Sequence, residues 1–207
     1  MTAETTLATP VRRRTGSPLA GYVDRFATVS TTTGGRVRIA EQPMLAQLTL
    51  RADPSTRLHD VLGGALPVPG VAIGDTSPRT LGIGPDEWLI VGAPGSQQSI
   101  TEALRAGLAG RGAVVDVSGQ RTTIALTGAK SRDLLAKGCS IDMHPRVFHG
   151  TRCAQTQLAR AQVIIVGQPE RHDSFWVLAR SSFARYVADW MLDAACEYRR
   201  ACEAGAR

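Results

Sequence analysis

Four residues of ligating type fall within one short stretch: Cys139, His144, His149 and Cys153, with four, four and three residues between them. Two thiolates and two imidazoles form a set that zinc accepts, but structural zinc sites usually hold their ligands as two tight pairs, and this spacing contains neither. Asp142 and Arg146 compete as polar partners. The same stretch therefore also reads as a loop with one or two buried thiols and hydrogen-bonded histidines, and the role of the four residues stays open. Asp86 and Glu87 are a carboxylate pair, but neighbours on a strand point to opposite sides, so they read as a solvated turn and not as an acid and base acting on one atom. Trp88, Trp176 and Trp190 have the ring surface to stack on a flavin or folate, yet each sits at an apolar-periodic position that suits core or interface packing. Gly82-Ile83-Gly84 continues into Pro85-Asp86-Glu87 without a third glycine, which makes it hairpin punctuation and not a dinucleotide fingerprint. No Walker loop and no GxSxG elbow occurs. No catalytic, cofactor-binding or metal-ligating residue is assigned.

These residues are carried by 207 amino acids, enough for one domain at its upper size or two small ones. The 43% apolar and 20% charged fractions are those of a folded globular chain. The longest apolar runs are strand-like pieces such as Val163-Ile164-Ile165-Val166, far short of the ~20 residues a membrane helix needs. Arg12-Arg13-Arg14 is followed by Thr-Gly-Ser-Pro and not by an apolar core, so no secretory signal is read and the cytoplasm is the expected location. Four cysteines without a CxxC fit that reducing compartment. The net charge of +6 is spread thinly, and with 5% aromatic residues no base-stacking platform is evident, so nucleic acid is not expected as a partner.

Along the chain, residues 1–42 are rich in Thr, Arg, Gly and Pro without a sustained period and read as an extended N-terminal arm. Residues 43–118 then alternate strands with helices. Leu45 to Arg51 reads as a strand. Asp53 offers a helix cap before Leu58, Val61 and Leu62, with Gly63-Gly64 as the stop, and strands around Leu81 and Trp88 to Val91 form a hairpin. Ser99 and Glu102 suit a capping box, and Ala113 to Val117 closes this half. Residues 119–200 begin again with a strand at Thr123 to Leu126, a helix from Ala129 to Lys137, one long bent strand from Thr156 to Val166 and a partner at Phe175 to Ala179. A final amphipathic helix buries Phe183, Val187, Trp190, Met191, Ala194 and Tyr198, and a tail occupies 201–207. The predicted fold class is α+β, two tandem split βαβ (ferredoxin-like) halves in which antiparallel and parallel pairs share a sheet. The echo of Asp86 to Val91 in Asp173 to Leu178 supports a duplication.

The run from Val115 through Asp116-Val117-Ser118-Gly119-Gln120-Arg121 to Cys139, continuing by Ile141-Asp142 and Phe148 to Thr156, resembles the gamma subunits of heterotetrameric sarcosine oxidases. Leu81 to Leu89 upstream and Phe175 to Trp190 downstream support the likeness, which spans roughly residues 78–198. More distantly the same stretch is similar to folate-dependent aminomethyltransferases. The folate-handling part of that wider family has an acidic pair on one strand and an Asn-Ala after the next. Here those regions read Gln162-Val163-Ile164-Ile165-Val166 and Leu178-Ala179-Arg180.

What the resemblance implies is a non-catalytic gamma subunit, aminomethyltransferase-like in fold, in a complex with alpha, beta and delta chains. Such complexes demethylate sarcosine oxidatively to glycine, produce hydrogen peroxide from oxygen and use tetrahydrofolate as one-carbon acceptor. FAD, FMN and NAD are expected on the other subunits and none on this chain. A stand-alone, folate-binding aminomethyltransferase-like protein is the alternative.

Overall fold

The computed structural model describes residues 16–74, 78–169 and 173–199. Strand β2 (Ala46–Ala52) and strand β5 (Glu87–Gly92) form the centre of the first sheet. Their residues alternate between two destinations. Leu48, Leu50, Trp88 and Ile90 pack under helices, whereas Leu89 and Val91 face the other way, into a second apolar layer. A strand buried on both faces reads as a near-continuous apolar run, which is why Trp88 to Val91 shows no polar alternation.

The first sheet is completed by β3 (Ala72–Ile73), β4 (Arg79–Gly84) and β6 (Gly112–Asp116), in the order β3-β4-β5-β2-β6. It is covered by α2 (His59–Leu62) and α3 (Gln97–Leu108), whose Leu62, Leu104 and Leu108 are buried against it. All its strand pairs are antiparallel, so the expected mixture of parallel and antiparallel neighbours is not what forms. Strands β5 and β6 do run in the same direction, joined through α3, but β2 lies between them and is antiparallel to both, so no parallel pair is adjacent.

The second sheet has the order β1-β7-β10-β9-β8, built from β7 (Arg121–Thr127), β8 (Cys153–Leu158), β9 (Ala161–Gly167) and β10 (Ser174–Arg180) together with β1 (Arg38–Gln42). Reversed, this order matches the first sheet strand for strand. The place that β6 takes beside β2 is taken beside β7 by β1, from the opposite end of the sequence. Helices α1 (Val23–Thr32), α4 (Ser131–Ala136) and α5 (Ala184–Ala194) cover its outer face. The inner faces of the two sheets meet through Leu81, Leu89, Val91, Cys153, Ile164, Val166 and Leu178, so the layers run helix, sheet, sheet, helix.

Residues 16–42 are therefore not an extended arm. Leu19, Phe26, Val29, Val37 and Ile39 are buried in the core of the second sheet, and β1 pairs with β7 from Arg38↔Thr127 to Gln42↔Thr123. Thr33 clasps the turn between α1 and β1, its Oγ1 donating to Val29 O at 2.8 Å while lying 3.0 Å from Val37 O. The segment is held because the second half has only four strands of its own, β7 to β10, and β1 supplies the fifth at the edge of β7. Residues 1–15 and 200–207, which include the expected tail at 201–207, lie outside the described residues.

Three local expectations also change. The strand foreseen from Thr156 to Val166 is a hairpin of β8 and β9, turning at Ala159, which adopts a left-handed φ of 53° without a glycine or asparagine to announce it. Helix α3 starts before Ser99, so that hydroxyl donates to Ser96 O at 3.0 Å and Glu102 accepts from Gln98, and no capping box forms. Asp53 makes a local turn with Ser55 N (2.8 Å) and does not cap α2, which does end, as expected, at Gly63 with φ 69°.

Candidate functional site at the seam between the sheets

The loop carrying the cysteine and histidine candidates joins α4 to β8. Arg132 of α4 anchors it, donating from one guanidinium nitrogen to the carbonyls of Met143 and, at 2.8 Å, Phe148. His144 turns on itself, its backbone N–H donating to Asp142 Oδ1 (2.8 Å) and its ring Nδ1 accepting from Arg146 N (3.2 Å). His149 Nδ1 lies 3.1 Å from Thr151 Oγ1. Cys139 packs on the helix side of the second sheet with its sulfur 3.7 Å from Thr156 Oγ1. Cys153 belongs to the layer between the sheets, its thiol directed at Val71 O (3.4 Å) and Gly82 O (3.6 Å). The two thiols thus lie on opposite sides of one sheet, and among the described residues no group of three or more His, Cys, Asp or Glu converges. Burial pushes the Cys153 thiol up to about 11, against the pull of Arg79 and Arg152, so it stays protonated and unreactive near neutrality.

The other sequence candidates have structural employment. Asp86 and Glu87 both reach one guanidinium, Arg51, at 3.0 and 2.8 Å, because Asp86 lies in the turn and not on the strand. Trp88 is buried with its indole N–H on Pro67 O at 2.8 Å. Trp190 packs against Gly138, where an added Cβ would stand 2.4 Å from the ring. Trp176 flanks the layer between the sheets, beneath the guanidinium of Arg79 at 5.8 Å.

Arg79 is a residue that pattern reading passed over. It enters the seam from β4 and is only 1% exposed. Its guanidinium donates to Gly167 O (2.6 Å), Gly150 O (2.7 Å) and Gln168 Oε1 (2.8 Å), all belonging to the second half. Close by, Val71 and Arg152 form an antiparallel bridge, with Ala72 N donating to Thr151 O at 2.9 Å and Cys153 N to Gly70 O at 3.0 Å. A charged fork on main-chain carbonyls and a strand-like bridge join the halves directionally, which apolar packing alone does not do. The sequence signal was a charge at an inward position of an apolar strand, Arg79-Thr80-Leu81.

At the opposite end of the seam the inner face of the second sheet turns polar. Its successive inward rows run Cys153, Val166, Trp176, then Gln155, Ile164, Leu178, then Gln157, Gln162 and the pair Arg180 and Arg121. A cleft of about 240 Å³ opens over this last row, lined by Arg121, Gln155, Thr156, Gln157, Gln162, Val163, Ile164 and Arg180. Arg121 and Arg180 are directly opposed across β7 and β10. Burial first, and then Arg180, push the Arg121 guanidinium below its usual range, with Glu87 pulling the other way.

Comparison with known proteins locates this architecture. The model of the sarcosine oxidase, gamma subunit family matches residues 50–197. A sarcosine oxidase subunit gamma from Arthrobacter sp. is 33% identical over 174 residues, covering 81% of this chain and 84% of that protein. The corresponding subunit from Corynebacterium sp. (strain U-96) is 32% identical over 202 residues, covering 94% and 95%. Among solved structures, a chain of the heterotetrameric sarcosine oxidase from Corynebacterium sp. U-96 superposes with a TM-score of 0.81 at 30% identity, covering 91% of this chain and 98% of that one. The glycine cleavage system aminomethyltransferase T from Bartonella henselae matches with a TM-score of 0.59 at 12% identity, over 79% of this chain and 48% of that one, a likeness of fold.

Proposed function

This chain belongs to the sarcosine oxidase gamma subunit family, and on that premise we propose that it is a non-catalytic subunit of a heterotetrameric sarcosine oxidase. The complex oxidatively demethylates sarcosine to glycine in the cytoplasm, reducing oxygen to hydrogen peroxide and passing the one-carbon unit to tetrahydrofolate. Alpha, beta and delta chains are its partners, and they carry the FAD, FMN and NAD. The observation that carries this reading is whole-chain similarity: 91% of this chain lies over 98% of a chain from a heterotetrameric sarcosine oxidase. Among the described residues no helix is long and apolar enough to cross a membrane.

A structural role is supported by where the reactive groups are spent. The seam thiol of Cys153 is held protonated, the carboxylates of Asp86 and Glu87 both answer Arg51, and Arg79 is committed to carbonyls of the other half. Groups engaged in this way stiffen a body whose surface other chains can pack on. The test is to tag the full chain in its native background and identify what co-purifies. Alpha, beta and delta chains, with sarcosine-dependent peroxide formation in the eluate, are expected. A tagged chain that elutes alone, or a lone purified chain that holds flavin or tetrahydrofolate, overturns the reading.

A further inference from the structure

The cleft over Arg121 and Arg180 is unlike the rest of the seam. Like charges directly opposite each other on one sheet face destabilise the pair. Elsewhere the chain answers its inward arginines: Arg79 has three oxygen acceptors, and Arg51 has Asp86 and Glu87. Arg121 has only the amide oxygen of Gln120 next to it in sequence, and Arg180 has no side-chain hydrogen bond or ion pair among the described residues. Glu87, the acidic group whose field reaches Arg121, is held by Arg51 at 2.8 Å. The rest of the row is amide: Gln157 opposes Gln162, and extending the β9–β10 register by one residue sets Gln162 beside Arg180.

We propose that this cleft is a carboxylate-binding site, with Arg121 and Arg180 as the paired cationic forks and Gln162 and Gln157 as flanking amide donors. Planar guanidinium groups match a carboxylate by two parallel N–H···O bonds. A carboxylate between the two arginines converts their repulsion into attraction, which supplies the compensation that the chain itself lacks. The donors are side chains along one row of one sheet face, which suits a planar group with a polar tail more than a tetrahedral dianion cradled from several sides by backbone N–H groups. The volume of about 240 Å³ limits a free ligand to a small acid. The same carboxylate chemistry can instead be presented by an acidic side chain of another subunit, a source that rests on the subunit reading above.

The experiment has two arms and uses Arg180→Gln and Arg121→Gln beside the conservative Arg180→Lys. In the first, the full chain is titrated calorimetrically with succinate, and with inorganic phosphate for comparison. Saturable one-to-one succinate binding, weakened tenfold or more by either Gln variant and partly kept by Arg180→Lys, supports the site with a free ligand. In the second, association of the full chain with the other purified subunits is measured at low and high salt. A tenfold or greater loss of affinity in the Gln variants, in a wild-type complex that does assemble, supports the site with a carboxylate from a partner. If wild type and variants are alike in both arms, or phosphate binds more tightly than succinate, the proposal is wrong. Circular dichroism and thermal melting of each variant exclude misfolding as the cause, since Arg180 is exposed. Failure of the wild-type chain to assemble would count against the subunit reading and leaves the succinate arm to decide the site by itself.

Discussion

Replacing Arg79 with Met tests whether a buried charge holds the two halves together. The side chain is 1% exposed and donates to Gly167 O at 2.6 Å, Gly150 O at 2.7 Å and Gln168 Oε1 at 2.8 Å. Methionine has comparable length and no donor, so three acceptors lose a charged partner, each such bond contributing about 1.5–3 kcal/mol. Against this stands the desolvation of the guanidinium, several kcal/mol, which the variant escapes. When both members of a buried ion pair are replaced by apolar groups these terms nearly cancel. Here two of the acceptors are main-chain carbonyls that no substitution removes, so the loss dominates, at about 3–5 kcal/mol. With a urea m-value near 2 kcal/mol/M, the unfolding midpoint of the full chain falls by roughly 1.5–2.5 M. Arg79→Lys keeps the charge and reaches one or two of the acceptors, so it loses about half as much. A midpoint for Arg79→Met within about 0.5 M of wild type, or a lysine variant no better than methionine, refutes the directional bonding at the seam.

Two further outcomes follow from the packing. Phe26→Ala should destabilise the chain by about 3–5 kcal/mol in urea unfolding, as for any core phenylalanine, while Val23→Ala three residues earlier stays within about 0.5 kcal/mol. Phe26 is 4% exposed and Val23 65%, and equal effects would return residues 16–42 to the status of a loose arm. The Cys153 thiol, ordinarily near 9.0 and here raised to about 11, favours the folded state fully below the lower value and loses that contribution as pH climbs through the higher one. Between about pH 8 and pH 10.5 the wild type should therefore lose up to about 2 kcal/mol more stability than Cys153→Ala, and parallel pH curves for the two proteins contradict the assigned burial effect.

What was legible in the sequence is what local periodicity and turn chemistry report. Trp88 to Val91 and Phe175 to Ala179 announce strands, Gly84-Pro85-Asp86 announces the first hairpin, and Ala184 to Ala194 shows one wet face and one buried face before any partner is known. The resemblance over residues 78–198 pointed to the family, because motif order survives where single contacts do not. Periodicity shows that a face is buried, but not against what. Val23, Phe26 and Val29 amount to a weak stripe among threonines, and only the open edge of β7 makes it a helix and strand of the second sheet. The hairpin at Ala159 escaped notice because its left-handed residue is an alanine, held by a hydrogen bond to Gly138 O at 2.8 Å that local sequence does not encode.

The tertiary structure alone decided the fate of the charged and ligating residues. Composition and pattern set the inventory: an α+β chain, duplicated in outline, with thiols, imidazoles and arginines spread along it. Cys139 and Cys153 are close in sequence yet fall on opposite sides of a sheet, while Arg121 and Arg180 are 59 residues apart in sequence and stand face to face. The reason is that side-chain direction follows local backbone geometry, whereas neighbourhood depends on strand register, and register is set by hydrogen bonds between segments that are remote along the chain.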